Sequence, residues 1–376
     1  MEDFIRKDVI VIGGGQAALA LGFYLRRSGL SYTILDDQPT AGGSWQRGWS
    51  SLRAFSPARW TSLPGWLMPA SRSTGADEYP SRDEVVKYLA EYETRYALPV
   101  QHGIRVASVY PEAGDDATLY RVVTDQTQSH APVYARALIS ATGGRPYIPE
   151  ISGMELFRGL QLHSQEYIAP DAFHNKRVVV VGGGNSAAQI VAELSTPGSR
   201  VASVTWATRE PPRFLPDDID GRYLFDQATA RYKAQQEGRI PNPPRSLGDI
   251  VMVPPVRAAR DRGSLVATPM FERLTEQGVL WRGGHSTDED AIIWATGFVP
   301  ALDHLGALGV LKENGRVDIA DDSDTRAAAV PSLWLVGYGN WTGYASATLI
   351  GVGRSARATV DEIRAANTIE PYTQHS

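Results

Sequence analysis

Val9-Ile10-Val11-Ile12-Gly13-Gly14-Gly15-Gln16-Ala17-Ala18 is the stretch that decides the fold. Four β-branched residues in a row suit a buried strand. Three glycines stop the strand, Gln16 to Ser28 carries apolar residues at helical spacing, and Tyr32 to Leu35 supplies another strand. Strand, glycine turn, helix and parallel strand form the right-handed unit of a doubly wound sheet. In that dinucleotide-binding pattern Gly13 permits the tight turn and Gly15 lets the backbone approach a pyrophosphate. Ala18, in the third glycine place, lets helix and strand pack closely. The helix N-terminus then faces the phosphates. Asp36 ends the second strand 23 positions after Gly13, where a carboxylate accepts hydrogen bonds from ribose hydroxyls.

The pattern recurs. Arg177 to Val181 reads as a strand, Gly182-Gly183-Gly184 as its turn and Asn185 to Leu194 as a helix, with Gly182 and Gly184 in the roles of Gly13 and Gly15. No acid ends the following strand, Val201 to Trp206, and Arg209 stands there instead. A guanidinium pairs with a 2′-phosphate that a carboxylate would repel, which favours NADPH over NADH; the alternative is a solvated surface charge. Ser140-Ala141-Thr142-Gly143 and Trp294-Ala295-Thr296-Gly297 echo one another and read as two chain crossings that pass close together.

Between the turns, Arg82 to Tyr96 reads as a helix, and Val106 to Tyr110, Tyr120 to Val123 and Ala137 to Ser140 as strands. Pro146 to Pro149 is a link. Prolines crowd Glu210 to Pro255, an insertion with a helix expected near Tyr223 to Gln236. Ala291 to Ala295, Leu333 to Val336 and a helical run from about Ser346 to Ala365 suit a return to the first domain. The expected fold is α/β, two doubly wound Rossmann-like dinucleotide-binding domains with the second inserted into the first. Residues 1–150 and 290–376 would bind FAD, and 151–289, with the insertion around 210–255, NADPH.

Composition removes several alternatives. The 376 residues carry 37 Lys and Arg against 42 Asp and Glu, a net charge of −5 that offers no broad attraction to nucleic acid. Cysteine is absent, which excludes disulfide scaffolds, thiolate zinc sites and dithiol reductase chemistry. The seven histidines show no metal-ligand spacing, so no metal is expected. No secretion signal opens the chain and no stretch nears the roughly 20 apolar residues of a membrane span, so a cytoplasmic protein without a membrane partner is expected. Trp45, Trp49, Trp60 and Trp66 line a substrate cavity or pack as core.

Phe157-Arg158-Gly159-Leu160-Gln161-Leu162-His163-Ser164-Gln165-Glu166-Tyr167 fits the pattern F-x-G-x-x-x-H-x-x-x-Y, placed just ahead of the second glycine turn. With Gly42-Gly43-Ser44-Trp45 and the two Ala-Thr-Gly segments, the chain resembles the class B flavin-dependent monooxygenases, the flavin-containing monooxygenase family, along most of its length. Gly48 to Pro69 and Pro146 to Tyr167 carry a narrower resemblance, to flavin-containing monooxygenases of bacterial arsenic-resistance operons. The resemblance implies FAD and NADPH as cofactors. It implies a cycle in which NADPH reduces FAD, the reduced flavin takes O2 to a C4a-hydroperoxide, and NADP+ stays to shield it. The substrate would be a small soft nucleophile with a sulfur, nitrogen or arsenic centre, since Tyr167 departs from the Trp of the Baeyer-Villiger subgroup.

By the same resemblance Gly43, Trp45, Thr142, Gly143, Thr296, Gly297, Gly337 and Asn340 lie along the cofactors. Asn185 and Ser186 lie by the nicotinamide nucleotide, and Gly337 to Thr342 by the flavin ring with Trp341 as a wall. Many members carry an asparagine that steadies the oxygenated flavin, where this chain has Phe55 or Ser56. Phe55, Ser56, Asn185 and Trp341 are thus the catalytic candidates, while His163 reads as a structural hydrogen-bonding group. The altered asparagine region keeps a second reading open, an NADPH oxidase or reductase passing electrons to O2, a quinone or a protein partner. A nucleotide sensor without turnover is a third. A homodimer is compatible with the sequence, which does not fix an oligomeric state.

Overall fold

The computed structural model describes residues 5–70, 79–112, 119–125, 133–219 and 249–366, with positions 221, 223, 230, 234, 237 and 239 between the last two. The helix expected near Tyr223 to Gln236 falls largely outside these residues.

Aliphatic runs form two sheets because only the centre of a sheet covered on both faces removes every side chain of such a run from water. In the first sheet the strand order is Val100–His102, Tyr32–Asp36, Ile5–Ile12, Val133–Ser140, Leu119–Thr124, Val106–Glu112. The first four run parallel, and the last two fold back as an antiparallel hairpin. Leu119–Thr124 pairs with the beginning of Val133–Ser140, and Leu333–Leu335 with its end, both on the side away from Ile5–Ile12. The second sheet is wholly parallel: Ala267–Pro269, Ser203–Thr208, Arg177–Val181, Ala291–Trp294, Leu160–His163. Its strands all fall between the early and late strands of the first, so the second unit is inserted into the first.

One assignment needs correction. Ala291 to Ala295 does not return to the first sheet: Ala291–Trp294 lies between Arg177–Val181 and Leu160–His163 in the second. The return begins after it, at the ribbon in which Phe298–Pro300 pairs antiparallel with Gly144–Pro146. The two crossings therefore do run side by side, as their matching sequences require. The strands Val100–His102, Leu160–His163 and Ala267–Pro269 escaped the sequence reading, and so did two larger elements. The helix Pro254–Asp261 hides behind prolines that its first turn tolerates, and a three-stranded antiparallel sheet occupies 273–288.

The helices cover the sheets and hold loops in place. Gln16–Leu25 and Leu349–Ala365 pack together over the first sheet. Arg82–Arg95 begins with a capping box, in which Ser81 Oγ accepts the Glu84 amide and Glu84 Oε2 accepts the Ser81 amide at 2.8 Å. From this helix the Tyr88 hydroxyl accepts the Leu63 amide and donates to the Trp66 carbonyl, while Tyr92 donates to the Pro64 carbonyl. The 63–66 turn is thereby fixed, and Trp66 packs on the Tyr88 ring. Ser81→Ala is expected to lower the unfolding free energy by about 1 kcal/mol, measured by urea denaturation.

Candidate functional site: two dinucleotide turns

The two glycine turns share their framing bonds. Gly13 donates its amide to the Leu35 carbonyl, and Gly182 to that of Ala207. Ala141 donates to Ile12, and Ala295 to Val181. Both first glycines have positive φ, +102° and +141°. A Cβ on Gly13 would stand 2.5 Å from the Ala141 oxygen, and one on Gly182 would stand 2.2 Å from the Ala295 oxygen. Glycine is therefore required twice over, by conformation and by contact.

Gly15 and Gly184 are different. Each caps its helix in an ordinary extended conformation, φ −76° and −104°, that any residue adopts. A Cβ on Gly15 would meet only the Gly43 Cα, at 3.9 Å, and one on Gly184 nothing within 4 Å. The protein's own packing does not ask for glycine here. What the missing side chain leaves is a space at a helix N-terminus, the shape and polarity that a pyrophosphate fills.

Around the first turn three distant segments converge. Gly43, at φ +55°, presses on Gly15, for its Cβ would lie 2.8 Å from the Gly15 Cα. Trp45 Nε1 donates to Gln16 Oε1 at 3.2 Å, and Gln16 Nε2 donates to the Ala347 carbonyl at 2.7 Å. Gly337 lies against Ala17, with 2.8 Å between its would-be Cβ and that of Ala17. Ala18 is fully buried beneath the turn. Asn340 Oδ1 accepts the Ala345 amide, and Trp341 is half-buried between Tyr338 and the Arg316 guanidinium.

Asp36 is buried at the sheet end. Its Oδ1 accepts the Gly14 amide at 3.0 Å, and its Oδ2 lies 3.0 Å from His102 Nδ1. His102 Nε2 in turn faces the Glu93 carboxylate at 3.2 Å. Burial raises the Asp36 pKa, against the lowering effect of the Gly14 amide and His102. His102 and Glu93 were not legible beforehand, because nothing local in the sequence shows that Val100–His102 pairs with Tyr32–Asp36.

At the second turn Ser186 is half-buried, and Asn185 has both ends of its amide bonded to the 249–251 backbone. Arg209 lies just past Ser203–Thr208, exposed and without an ion-pair partner among the described residues. Phe55 and Ser56 fall together beside Gly221: the Gly221 amide donates to the Phe55 carbonyl, and Ser56 Oγ bonds Thr61 Oγ1.

Between the turns, Thr142 Oγ1 donates to the Ala301 carbonyl and Thr296 Oγ1 to that of Tyr147, so each crossing's threonine holds the other crossing. Gly143 and Gly297, both at positive φ, accept the Ala301 and Tyr147 amides in the same exchange. His163 is structural. Its Nδ1 accepts the Gln165 amide, so the proton sits on Nε2, which donates to the Gly297 carbonyl at 3.0 Å. Burial lowers its pKa, opposed by that carbonyl and Glu166. Phe157 covers Gly159, and the Tyr167 hydroxyl donates to Glu193 among Trp49 and Phe173. Trp49 is thus core.

This is the architecture of an oxidoreductase that works with two dinucleotides. The family model described as pyridine nucleotide-disulphide oxidoreductase matches residues 10–215. A flavin-containing monooxygenase from Stenotrophomonas maltophilia is 48% identical, over 96% of this chain and 99% of that one, with a TM-score of 0.84. The uncharacterized oxidoreductase CzcO of Bacillus subtilis is 28% identical over 95% of this chain and 99% of its own length. An S-allyl-L-cysteine S-oxygenase from Allium sativum shares the fold, with a TM-score of 0.68 over 98% of this chain and 79% of that one, at 18% identity.

The chain belongs to the pyridine nucleotide-disulphide oxidoreductase family and, within it, to the flavin-dependent monooxygenases. It is an enzyme of the class that uses FAD and NADPH, although it lacks the cysteines of the disulfide branch. Among the described residues no helix is long and apolar enough to cross a membrane.

Two buried histidines give the assembly an acid limit. His304, whose Nε2 lies 3.2 Å from Ser140 Oγ, has its pKa lowered by burial from 6.5 to about 4. The fold holds it neutral while the unfolded chain protonates it, so its contribution is full above the ordinary imidazole range and is lost as pH falls toward 4. A loss of roughly 3 kcal/mol between about pH 7 and pH 4 is expected from this group. Urea midpoints across that range should show the slope, and His304→Gln should flatten it.

Proposed function

We propose that this enzyme uses NADPH and O2 to oxygenate a small soft nucleophile at a sulfur, nitrogen or arsenic centre. FAD would occupy the turn at Gly13 and Gly15, NADPH the turn at Gly182 and Gly184. The FAD domain would comprise the segments before and after the paired crossings, and the NADPH domain the residues between them. The observation that carries the assignment is the pair of ligand-shaped spaces at Gly15 and Gly184, combined with opposite charges at the ends of the neighbouring strands.

Bound flavin supplies the oxygen-activating redox chemistry. The protein's residues position and enclose. Asp36, pre-oriented by the Gly14 amide and His102, accepts ribose hydroxyls. Gly43 and Trp45 close over the pyrophosphate turn, and the Gly337 to Thr342 loop brings Asn340 and Trp341 toward the flavin ring. Phe55 and Ser56 line the oxygenation side, where their packed surroundings exclude water. Ser186 and Arg209 hold the coenzyme, the guanidinium taking the 2′-phosphate. A homodimer is compatible with this arrangement.

Three measurements bear on the proposal. With thioanisole as sulfide probe and isotopically labelled O2, the sulfoxide should carry the label in proportion to NADPH consumed; hydrogen peroxide as sole product would establish the oxidase reading instead. Gly15→Val should yield a folded but colourless protein that does not take up FAD. Arg209→Ala should weaken NADPH binding by about 1.5 to 3 kcal/mol with little effect on NADH, and equal losses for both would remove the basis for the coenzyme choice.

A further inference from the structure

Asn185 opens the helix that follows the second glycine turn, yet its amide is directed at the protein's own backbone. Oδ1 accepts the Val251 amide at 2.8 Å, and Nδ2 donates to the Asp249 carbonyl at 3.1 Å. A donor and an acceptor bonded to residues two apart imitate a neighbouring strand. The segment held in this way is the returning limb of the excursion after Thr208. Leu215 donates to the Ile250 carbonyl and Ile250 to that of Arg213, each at 2.8 Å, so the outgoing and returning limbs close on one another. Leu215, Ile219, Ile250, Val251 and Met252 are buried in the second unit's core with Trp49.

The outgoing limb reaches the other unit. Gly221 donates its amide to the Phe55 carbonyl at 3.0 Å. A Cβ at Gly221 would stand 2.6 Å from Ser56 Cβ and 2.8 Å from the Phe55 oxygen. Its backbone does not lie in the left-handed region, so contact and not conformation demands glycine there.

We infer that residues 213–219, Gly221 and residues 249–251 form a fixed strap that ties the coenzyme turn to the Phe55–Ser56 segment, with Asn185 and Gly221 as its positioning residues. A shift of the second turn is carried by Asn185 into Asp249–Val251, across the paired limbs to Gly221, and so to Phe55 and Ser56. The consequence for catalysis rests on the proposed oxygenase reading: the strap sets how much of the NADPH spent ends in oxygenated product. Asn185 acts through backbone it holds, which moves it from the catalytic candidates to a positioning role.

Hydrogen exchange of the FAD-loaded enzyme tests the strap without turnover. Asn185→Ala should speed exchange by about tenfold not only at 249–251 but also at 213–215 and, in the other unit, at 50–57. Acceleration confined to 249–251 would overturn the strap. Gly221→Ala should lower sulfoxide formed per NADPH several-fold with thioanisole, while anaerobic bleaching of the flavin by NADPH keeps its rate. The Asn185→Ala, Gly221→Ala double variant should be no less coupled than the worse single one, because both cut one connection. Multiplying losses would mean two independent effects and refute the inference. Should the unmodified enzyme form no sulfoxide, the oxygenase reading fails, and the exchange result still decides the strap.

Discussion

The contact between a carbonyl oxygen and a glycine Cα, made once in each half of the molecule, governs most of what surrounds it. In each half the strand beside the glycine strand is followed directly by an alanine whose carbonyl sits where a Cβ of the first glycine would project. Such a contact limits sliding between the two strands, since a shift that brought Ile12 or Val181 to the oxygen would drive a side chain into it. The strand ends are thereby levelled, the turn is forced to start at Gly13 or Gly182, and the helix that follows is aimed from that point. The same alanine leads into a Thr-Gly pair. Its hydroxyl and carbonyl then bind the opposite crossing, so the geometry of the two nucleotide turns and that of the link between them come from one packing constraint.

How much of this was legible follows from the range over which each signal acts. The turns at Gly13 and Gly182 were, because strand, glycine spacing and helix are contiguous and each residue's requirement is local. The closeness of the two crossings was, because Ser140-Ala141-Thr142-Gly143 and Trp294-Ala295-Thr296-Gly297 repeat the same small-residue pattern. The sheet to which Ala291–Trp294 belongs was not. An Ala-Ile-Ile-Trp run is equally at home in the centre of either sheet, and only its partners at Val178 and Leu160 decide. The bonds of Asn185 were not legible for a related reason. Its place at the helix start suited a ligand contact, whereas its bonds run to residues more than 60 positions away, past a proline-rich stretch.

The motif that identifies the family most specifically turns out to be mechanical. Phe157 lies so near Gly159 that a side chain there would enter the ring, His163 joins the strand Leu160–His163 to the Gly297 carbonyl, and Tyr167 anchors to Glu193 beneath the second turn's helix. Three spacings are fixed because three separate places must be reached from one short segment: the edge of the second sheet, the crossing and the helix. The imidazole must remain neutral to accept one amide and donate to one carbonyl, which explains a histidine without asking it to move a proton.

On a scaffold so nearly duplicated, the difference between the halves has to come from few residues, and the strand ends supply it. Asp36 is buried, held by an amide on one oxygen and His102 on the other, and so presents a fixed negative edge. A ribose with free hydroxyls can donate to such an edge; a ribose bearing a 2′-phosphate meets repulsion that burial strengthens, since few water molecules remain to screen it. In the other half Thr208 takes the place of Asp36, and Arg209, one residue further, is exposed with no carboxylate bonded to it among the described residues. On the proposed reading a second phosphate would gain a partner there. On the proposed assignment the order of the two dinucleotides along the chain would be set not by the fold, which is nearly the same in both halves, but by one carboxylate and one guanidinium near matching ends of two matching strands.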